Sequence, residues 1–479
     1  MPLVFLYTPL YLVFLAVVCL VYWLLPSPTW RKTLLLLASY ILYATFDARF
    51  VLVLLGITAA TYFLGRAIPD SAHSRKYVAL SVALNLGALA YFKYTGFFLA
   101  NMDSILRGMG ISPPASIQVL LPIGISFYAF QAIAYTLEVS RRKIQPVENV
   151  VDFGLYLAFF PKLIAGPFVR PAEFFQQMAN PSDRLSRFEV QSSLQLVLTG
   201  LFKKVVIADS IAALADISFR AAAHPNAGGF PMPLYIGGFY LYAVQIYADF
   251  SGYTDIARGS AGLLGISLPE NFRQPYFSFS PGDFWNRWHM TLTQWFREYL
   301  YFPLGRWGLI KTQRRYPGLI QTAATMTTMI LVGLWHGAAW TFVLWGAWHG
   351  VLLTVDRLLK YTPGRWWEKT IAAVVNFHLI GLGWILFRSS SLEEAVRFLA
   401  GMFSFNQTMW FPHFLPPAML ALFLILGMDA IGPLSRRFPN WINALRPAAV
   451  FAAIIVIAGL WILQAVSQTS ALPFIYGSF

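Results

Sequence analysis

The stretch LVGLWHGAAWTFVLWGAWHG, Leu331 to Gly350, decides how the chain is read. His336 and His349 each follow a Trp and precede a Gly, in a run otherwise made of aliphatic, aromatic and small residues. Imidazole is costly to place in hydrocarbon without a partner. In one straight helix the two rings would be offset by about 20 Å of rise and about 220° of rotation. They could then share neither a metal ion nor a proton. Either one lies deep and the other near a boundary, or HGAAW breaks the helix at Gly337. Gly337 and Ala338 would in that case let another backbone or a ligand come close.

The surroundings make this a membrane question. Of 479 residues, 57% are hydrophobic and only 12% charged, about half the charge of a soluble protein. Apolar runs near the length of about 20 residues that spans a bilayer recur along the chain. They begin with Leu3 to Leu25 and end with Val450 to Val466. The pattern predicts an all-α polytopic membrane protein with about eleven crossings, organised as one integral domain over residues 1–479. VLLPIGISFYAFQAIAYTL, with Pro122 and Gly124, is expected to kink or re-enter.

The first run lacks a basic leader and has a long apolar core, unlike a removable signal peptide. Arg31 and Lys32 follow it, which puts its end in the cytoplasm and Met1 outside. The single Cys19 can form no intrachain disulfide. It reads as a small packing residue, with a thioester-forming nucleophile as the alternative.

The net charge of +14 would suggest nucleic acid in a soluble chain. Here the basic residues cluster between apolar runs, at Arg141 to Lys143, Lys203 and Lys204, Arg306 to Arg315, and Arg436 and Arg437. Cytoplasmic loops touching anionic membrane lipids account for them without nucleic acid. No glycine-rich phosphate loop, zinc-type cysteine pair or helix with paired metal ligands occurs, so no metal and no bound cofactor are expected.

Asp249 to Lys311 departs furthest from membrane character. Its prolines at 269, 275, 281 and 303 argue against long helices before residue 281. From Pro281 a helical spacing of Trp285, Trp288, His289, Leu292, Trp295 and Phe296 predicts one aromatic face on a tilted interfacial helix. Ser280 is its expected cap and Asp283 complements its dipole. His289 is either an interfacial histidine bonded to a backbone carbonyl or a functional one. Asn286 and Arg287 beside it supply donors for an anionic or carbonyl-bearing ligand and favour the second.

Histidine suits acyl transfer in such a setting. Burial disfavours imidazolium, and a neutral ring at His336 can take the proton from a hydroxyl as it attacks a carbonyl. Trp335 and the small residues would exclude water and limit hydrolysis of an activated donor. A thioester donor such as acyl-CoA carries phosphates, which Arg306, Lys311, Arg314 and Arg315 could receive on the cytoplasmic side.

At these residues the sequence resembles the membrane-bound O-acyltransferase (MBOAT) family, and within it the bacterial subgroup of the alginate O-acetyltransferase membrane subunit. The strings are PKLIAGPFVRPAEF (161–174), ADFSGYTDIARG (248–259), PENFRQPY (269–276), DFWNRWHMTLTQWFREYLYFPLG (283–305) and GLWHGAAWTFVLWGAWHG (333–350). The closing LPFIYGSF is also similar to that subgroup. The resemblance implies re-entrant pieces around a funnel or tunnel in the bacterial inner membrane. It implies that His336 matches the family's essential histidine and His289 the histidine of its RWH string. Trp285, Asn286, Arg287, Trp288 and Trp335 are the expected substrate-binding residues, with His349 and Asp249 supporting them from behind. The implied donor is acetyl-CoA. The acceptor is a hydroxyl of an extracytoplasmic polysaccharide or of a partner transferase. D-alanyl transfer to teichoic acid from a carrier protein is the alternative within the family. A transporter or flippase, with His336 as proton relay, is the alternative outside it, although no paired broken helices occur.

Overall fold

A computed structural model describes residues 5–69, 73–112, 119–224, 231–404 and 419–429, with residues 452, 455–457 and 459 besides. Val450 to Val466 for the most part, Met1, Arg436, Arg437 and the closing string lie outside them. The described residues form helices and connecting turns, with no strand among them. Five helices are long and apolar enough to cross a bilayer: Ala48–Ala67, Ser74–Gly108, Pro317–His336, Trp340–Leu359 and Trp366–Arg388. Pro9–Leu24 and Met419–Asp429 are shorter apolar helices.

The chain divides into two compact units. The first comprises Met1–Val197 and Ile256–Pro269. Its helices start where the sequence supplies starts. Thr8 caps Pro9–Leu24 by accepting from the Tyr11 amide, and Asp47 caps Ala48–Ala67 by accepting from the Arg49 amide. Ile125–Ser140 begins only after Gly124, whose φ is +79°, so the expected irregularity falls before the helix. There a Cβ would lie 2.7 Å from the Leu163 carbonyl oxygen, leaving room for glycine alone. Asn85 donates to Thr61 and Ser81 bonds Thr136, joining apolar helices through buried hydroxyls. Arg31 is also buried, donating to the Leu25 and Ser182 carbonyls over the rings of Tyr22 and Trp23, while Lys32 pairs with Asp152. The first basic pair is thus held inside the fold and not loose in a loop.

The second unit comprises Leu198–Asp255 and Glu270–Phe479. Two expectations are corrected by it. Lys203 and Lys204 lie in a π-helical stretch, Phe202–Ala208, and not in a loop. Lys203 pairs with Asp255, and Lys204 with both Asp209 and Asp249. Nor is the stretch before residue 281 free of long helix, because Met232–Leu263 runs unbroken through Asp249 as far as Leu263. The first proline comes only at 269, and the lysine partners let Asp249 and Asp255 remain on a buried helix.

The opening stretch is a helical hairpin. Pro317–His336 ends at the histidine, Gly337 is extended (φ −156°, ψ 145°), and Trp340–Leu359 begins after Ala339. The break at Gly337 is therefore the correct one of the two sequence readings. Glycines let the arms touch backbone to backbone. A Cβ on Gly333 would lie 2.1 Å from the Phe342 carbonyl oxygen, and one on Gly346 would lie 2.2 Å from that of Met329. Residues 333 with 342 and 329 with 346 define an antiparallel register. Trp366–Arg388 packs on the second arm, where Trp348 donates to the Leu379 carbonyl.

Candidate active site

All three singled-out histidines lie in the second unit, and all are buried. His336 closes the first arm of the hairpin. Its ring meets Trp335, Trp345 and Phe387 with centroids 4.9, 5.1 and 5.3 Å away. Gly337 beside it faces the Phe342 ring, which a Cβ would strike at 2.0 Å. The close approach expected at Gly337 is thus made by this phenylalanine.

His289 sits elsewhere in the same cluster. The expected aromatic helix from Pro281 is in fact interrupted. Pro281–Trp285 and Met290–Phe296 are separate helices, and His289, between them, has a left-handed backbone (φ 43°, ψ 49°). The cause is tertiary. The Arg273 amide bonds the Arg287 carbonyl, and the Met290 amide bonds the Asn271 carbonyl, so segment 271–273 captures the backbone that a continuous helix would use. Ser280 caps the first piece as expected, and also donates to Asp356 of the hairpin.

The His289 ring is set by Asn271, whose Oδ1 lies 3.1 Å from Nδ1, and by Phe250, edge-on at 4.7 Å. Trp335 lies 6.3 Å from it, so this one indole touches both His289 and His336. Burial pushes the His289 pKa well below the usual imidazole range, and the ring is neutral near pH 7. His349, on the second arm, packs against Trp345 at 4.7 Å and Trp285 at 5.3 Å. Neither of its nitrogens has a hydrogen-bond partner among the described residues. Gly383 makes room for it: a Cβ there would come within 2.8 Å of Nε2.

The other expected residues separate. Trp285, Trp288 and Trp335 are buried with the histidines. Trp288 is packed between Phe272, Phe284 and Trp384. Asn286 is exposed and accepts from Arg297, while Arg287 pairs with Asp283, so this polar pair does not share the surroundings of His289. Asp249 supports Lys204. Its neighbour Phe250 packs edge-on against the His289 ring. Asn271, Trp345 and Phe387 were not singled out by the sequence. The PENFRQPY string held the signal for Asn271, an amide between the prolines at 269 and 275.

A cavity of about 290 Å³ adjoins the cluster, lined by Trp285, Leu292, Phe296 and Met329 at an apolar side and by Arg297 and Arg357 at a polar one. No histidine lines it. Trp285 and Phe296 form its wall toward the rings of His349 and Trp335. The Asp356 carboxylate shares the polar side, so an amphiphilic ligand with a carbonyl or other hydrogen-bonding end fits this lining. Among the described residues no three His, Cys, Asp or Glu side chains converge as metal ligands. Arg306 within Phe302–Lys311, Lys311 at its end, and Arg314 and Arg315 in the turn after it are exposed, and Lys311 lies over the ring of Trp307 at 4.9 Å.

Comparison with known proteins bears on this geometry. The profile of the membrane-bound O-acyltransferase family matches residues 125–380, which include the three histidines. A protein named "Probable alginate O-acetylase AlgI" from Azotobacter vinelandii is 38% identical over 406 residues, covering 84% of this chain and 77% of its own. The "Peptidoglycan O-acetyltransferase" of Helicobacter pylori is 33% identical over 438 residues, 83% of this chain and 80% of its own. The "Teichoic acid D-alanyltransferase" of Bacillus subtilis is 28% identical over 279 residues, 55% of this chain and 68% of its own.

Proposed function

The chain belongs to the membrane-bound O-acyltransferase family, and from that membership we propose that it takes acetyl from acetyl-CoA in the cytoplasm and delivers it to a hydroxyl outside. It is a multi-pass membrane acyltransferase, which sets the transport reading aside. The acceptor is an extracytoplasmic polysaccharide or a partner transferase that serves one. The acetyl reading is favoured over D-alanyl transfer by the longer and stronger likeness to O-acetylating relatives. We assign the chain to the bacterial inner membrane, as one integral domain with about eleven crossings around a tunnel.

One observation carries the chemistry: two buried histidines, His289 and His336, flank the single indole of Trp335. His336 is the general base. It takes the proton of the acceptor hydroxyl as the oxygen attacks the thioester carbonyl. The C–O bond forms, the C–S bond breaks, and the leaving thiolate recovers the proton from the imidazolium. His289 is the second imidazole of the site. Trp285, Trp288 and Trp335 exclude water from the reacting carbonyl. The donor arm lies in the cavity beside Trp285, and its phosphates meet the Arg306 to Arg315 cluster.

Proteoliposomes holding the purified protein, given labelled acetyl-CoA and an acceptor glycan, test the reading. Acetyl consumption by the wild type, lost in His289→Ala and His336→Ala proteins that remain monodisperse, is the expected result. Turnover of a D-alanyl carrier protein without turnover of acetyl-CoA would replace the donor. Consumption of neither thioester overturns the proposal.

A further inference from the structure

Asn271 lies outside the expected site, yet its side-chain oxygen gathers three groups. The Thr291 amide approaches it at 3.3 Å, the Thr291 hydroxyl at 2.9 Å and His289 Nδ1 at 3.1 Å. A backbone amide can only donate, so the atom it meets is the amide oxygen and not the nitrogen. An oxygen of that kind can only accept. The nitrogen of His289 facing it therefore carries the proton, and Nε2 carries the lone pair. Both residues are almost fully buried, at 1% and 0% exposure, so water does not compete for the contact.

The same residue fixes the ring's position. Its carbonyl accepts from the Met290 amide at 2.9 Å, beside the left-handed backbone of His289. A non-glycine residue in that region carries a cost and persists where its surroundings hold it. Asn271 thus grips His289 at main chain and side chain together. Phe250, Phe272 and Trp335, which also face the ring, are uncharged.

We infer that Asn271 is a positioning residue: it locks His289 as the Nδ1–H tautomer, so that Nε2 is the ring nitrogen able to accept a hydrogen bond in the transfer site, beside the base His336. This rests on the reading of His289 as part of the transfer site. The Nδ2 of Asn271 has no partner among the described residues. Aspartate would therefore keep the accepting oxygen without breaking another bond, whereas leucine would remove the acceptor at similar volume.

Nitrogen NMR of [15N]histidine-labelled protein, with His289 assigned by difference from His289→Gln, reads the tautomer directly. The wild type should show a protonated Nδ1 and a bare Nε2 at His289. Asn271→Leu should lose that pattern and lower kcat about 10²-fold with little change in KM for acetyl-CoA, while Asn271→Asp recovers most of the rate. Thr291→Val, which keeps the histidine contact, should stay near wild type. An Nε2–H signal in the wild type overturns the inference, and that measurement stands even if the leucine variant fails to fold. An unchanged kcat in folded Asn271→Leu also overturns it. If His289→Ala is inactive in that case, the transfer reading survives without this residue. If His289→Ala is fully active, it is the transfer reading that fails.

Discussion

The second unit buries ionisable groups in two opposite ways. Around Lys204 they are paired: the ammonium lies 2.8 Å from Asp209 and 2.7 Å from Asp249, with lysine and Asp249 side chains only 2% and 1% exposed. Around the hairpin they are walled by aromatics, and His349 has no hydrogen-bond partner at all among the described residues. A paired charge is spent on its partner and ties helices together. A neutral imidazole among indoles keeps a lone pair for a substrate, at the expense of stability. The difference separates where the fold is held from where a reaction can occur.

The sharpest way to break this contrast is His336→Ala, which should lower transfer by about 10²–10⁴ with the protein still folded. His336→Gln should restore packing and not rate, as read from acetyl transfer by monodisperse protein. Next comes Lys204→Met. Two buried carboxylates would lose their cation, and stability should fall by about 3–5 kcal/mol. Per folded molecule the transfer rate should hold. A well-folded Lys204→Met protein with no activity would move Lys204 into the chemistry.

His349→Ala should be milder in rate, falling less than about tenfold, equivalent to about 1.4 kcal/mol of barrier. If His349→Ala is dead while His336→Gln works, the roles of the two histidines are reversed. The smallest effect concerns acid. The folded pKa of His289 is depressed from the usual 6.5, so below that value the unfolded chain takes up a proton that the folded ring refuses. Stability should therefore fall as the pH drops below about 6.5. Thermal melts in detergent should show a shallower loss for His289→Gln than for wild type.

What the sequence made legible was mostly local. The helix start at Ser280 and the break at Gly337 follow from residues within a turn of each boundary. The apolar spans follow from composition over about 20 residues. What stayed hidden depends on partners far along the chain. Lys204 looked like loop charge because Asp249 lies 45 residues away. The aromatic spacing after Pro281 looked like one helix because the competing bonds come from residues 271 and 273. Asn286 and Arg287 are next to His289 in sequence, and the turn at 286–289 parts them from it. The buried histidines of the candidate site stand out in the chain, whereas their neighbours Asn271, Trp345 and Phe387 do not.

The glycine-lined hairpin also constrains how the protein is made. Only residues 337–339 connect its two arms, and each arm is 20 residues long. So short a link keeps the two arms antiparallel and side by side. They are apposed at Gly333 and Gly346, with Pro317 and Leu359 at the same end of the pair. Arg314 and Arg315 precede that pair, and Lys360 and Arg365 follow it. Four cations at the two open ends of one insertion unit resist translocation together. The positive-inside tendency therefore predicts that the hairpin's open ends stay on the cytoplasmic side, with the tip carrying His336 directed away from it.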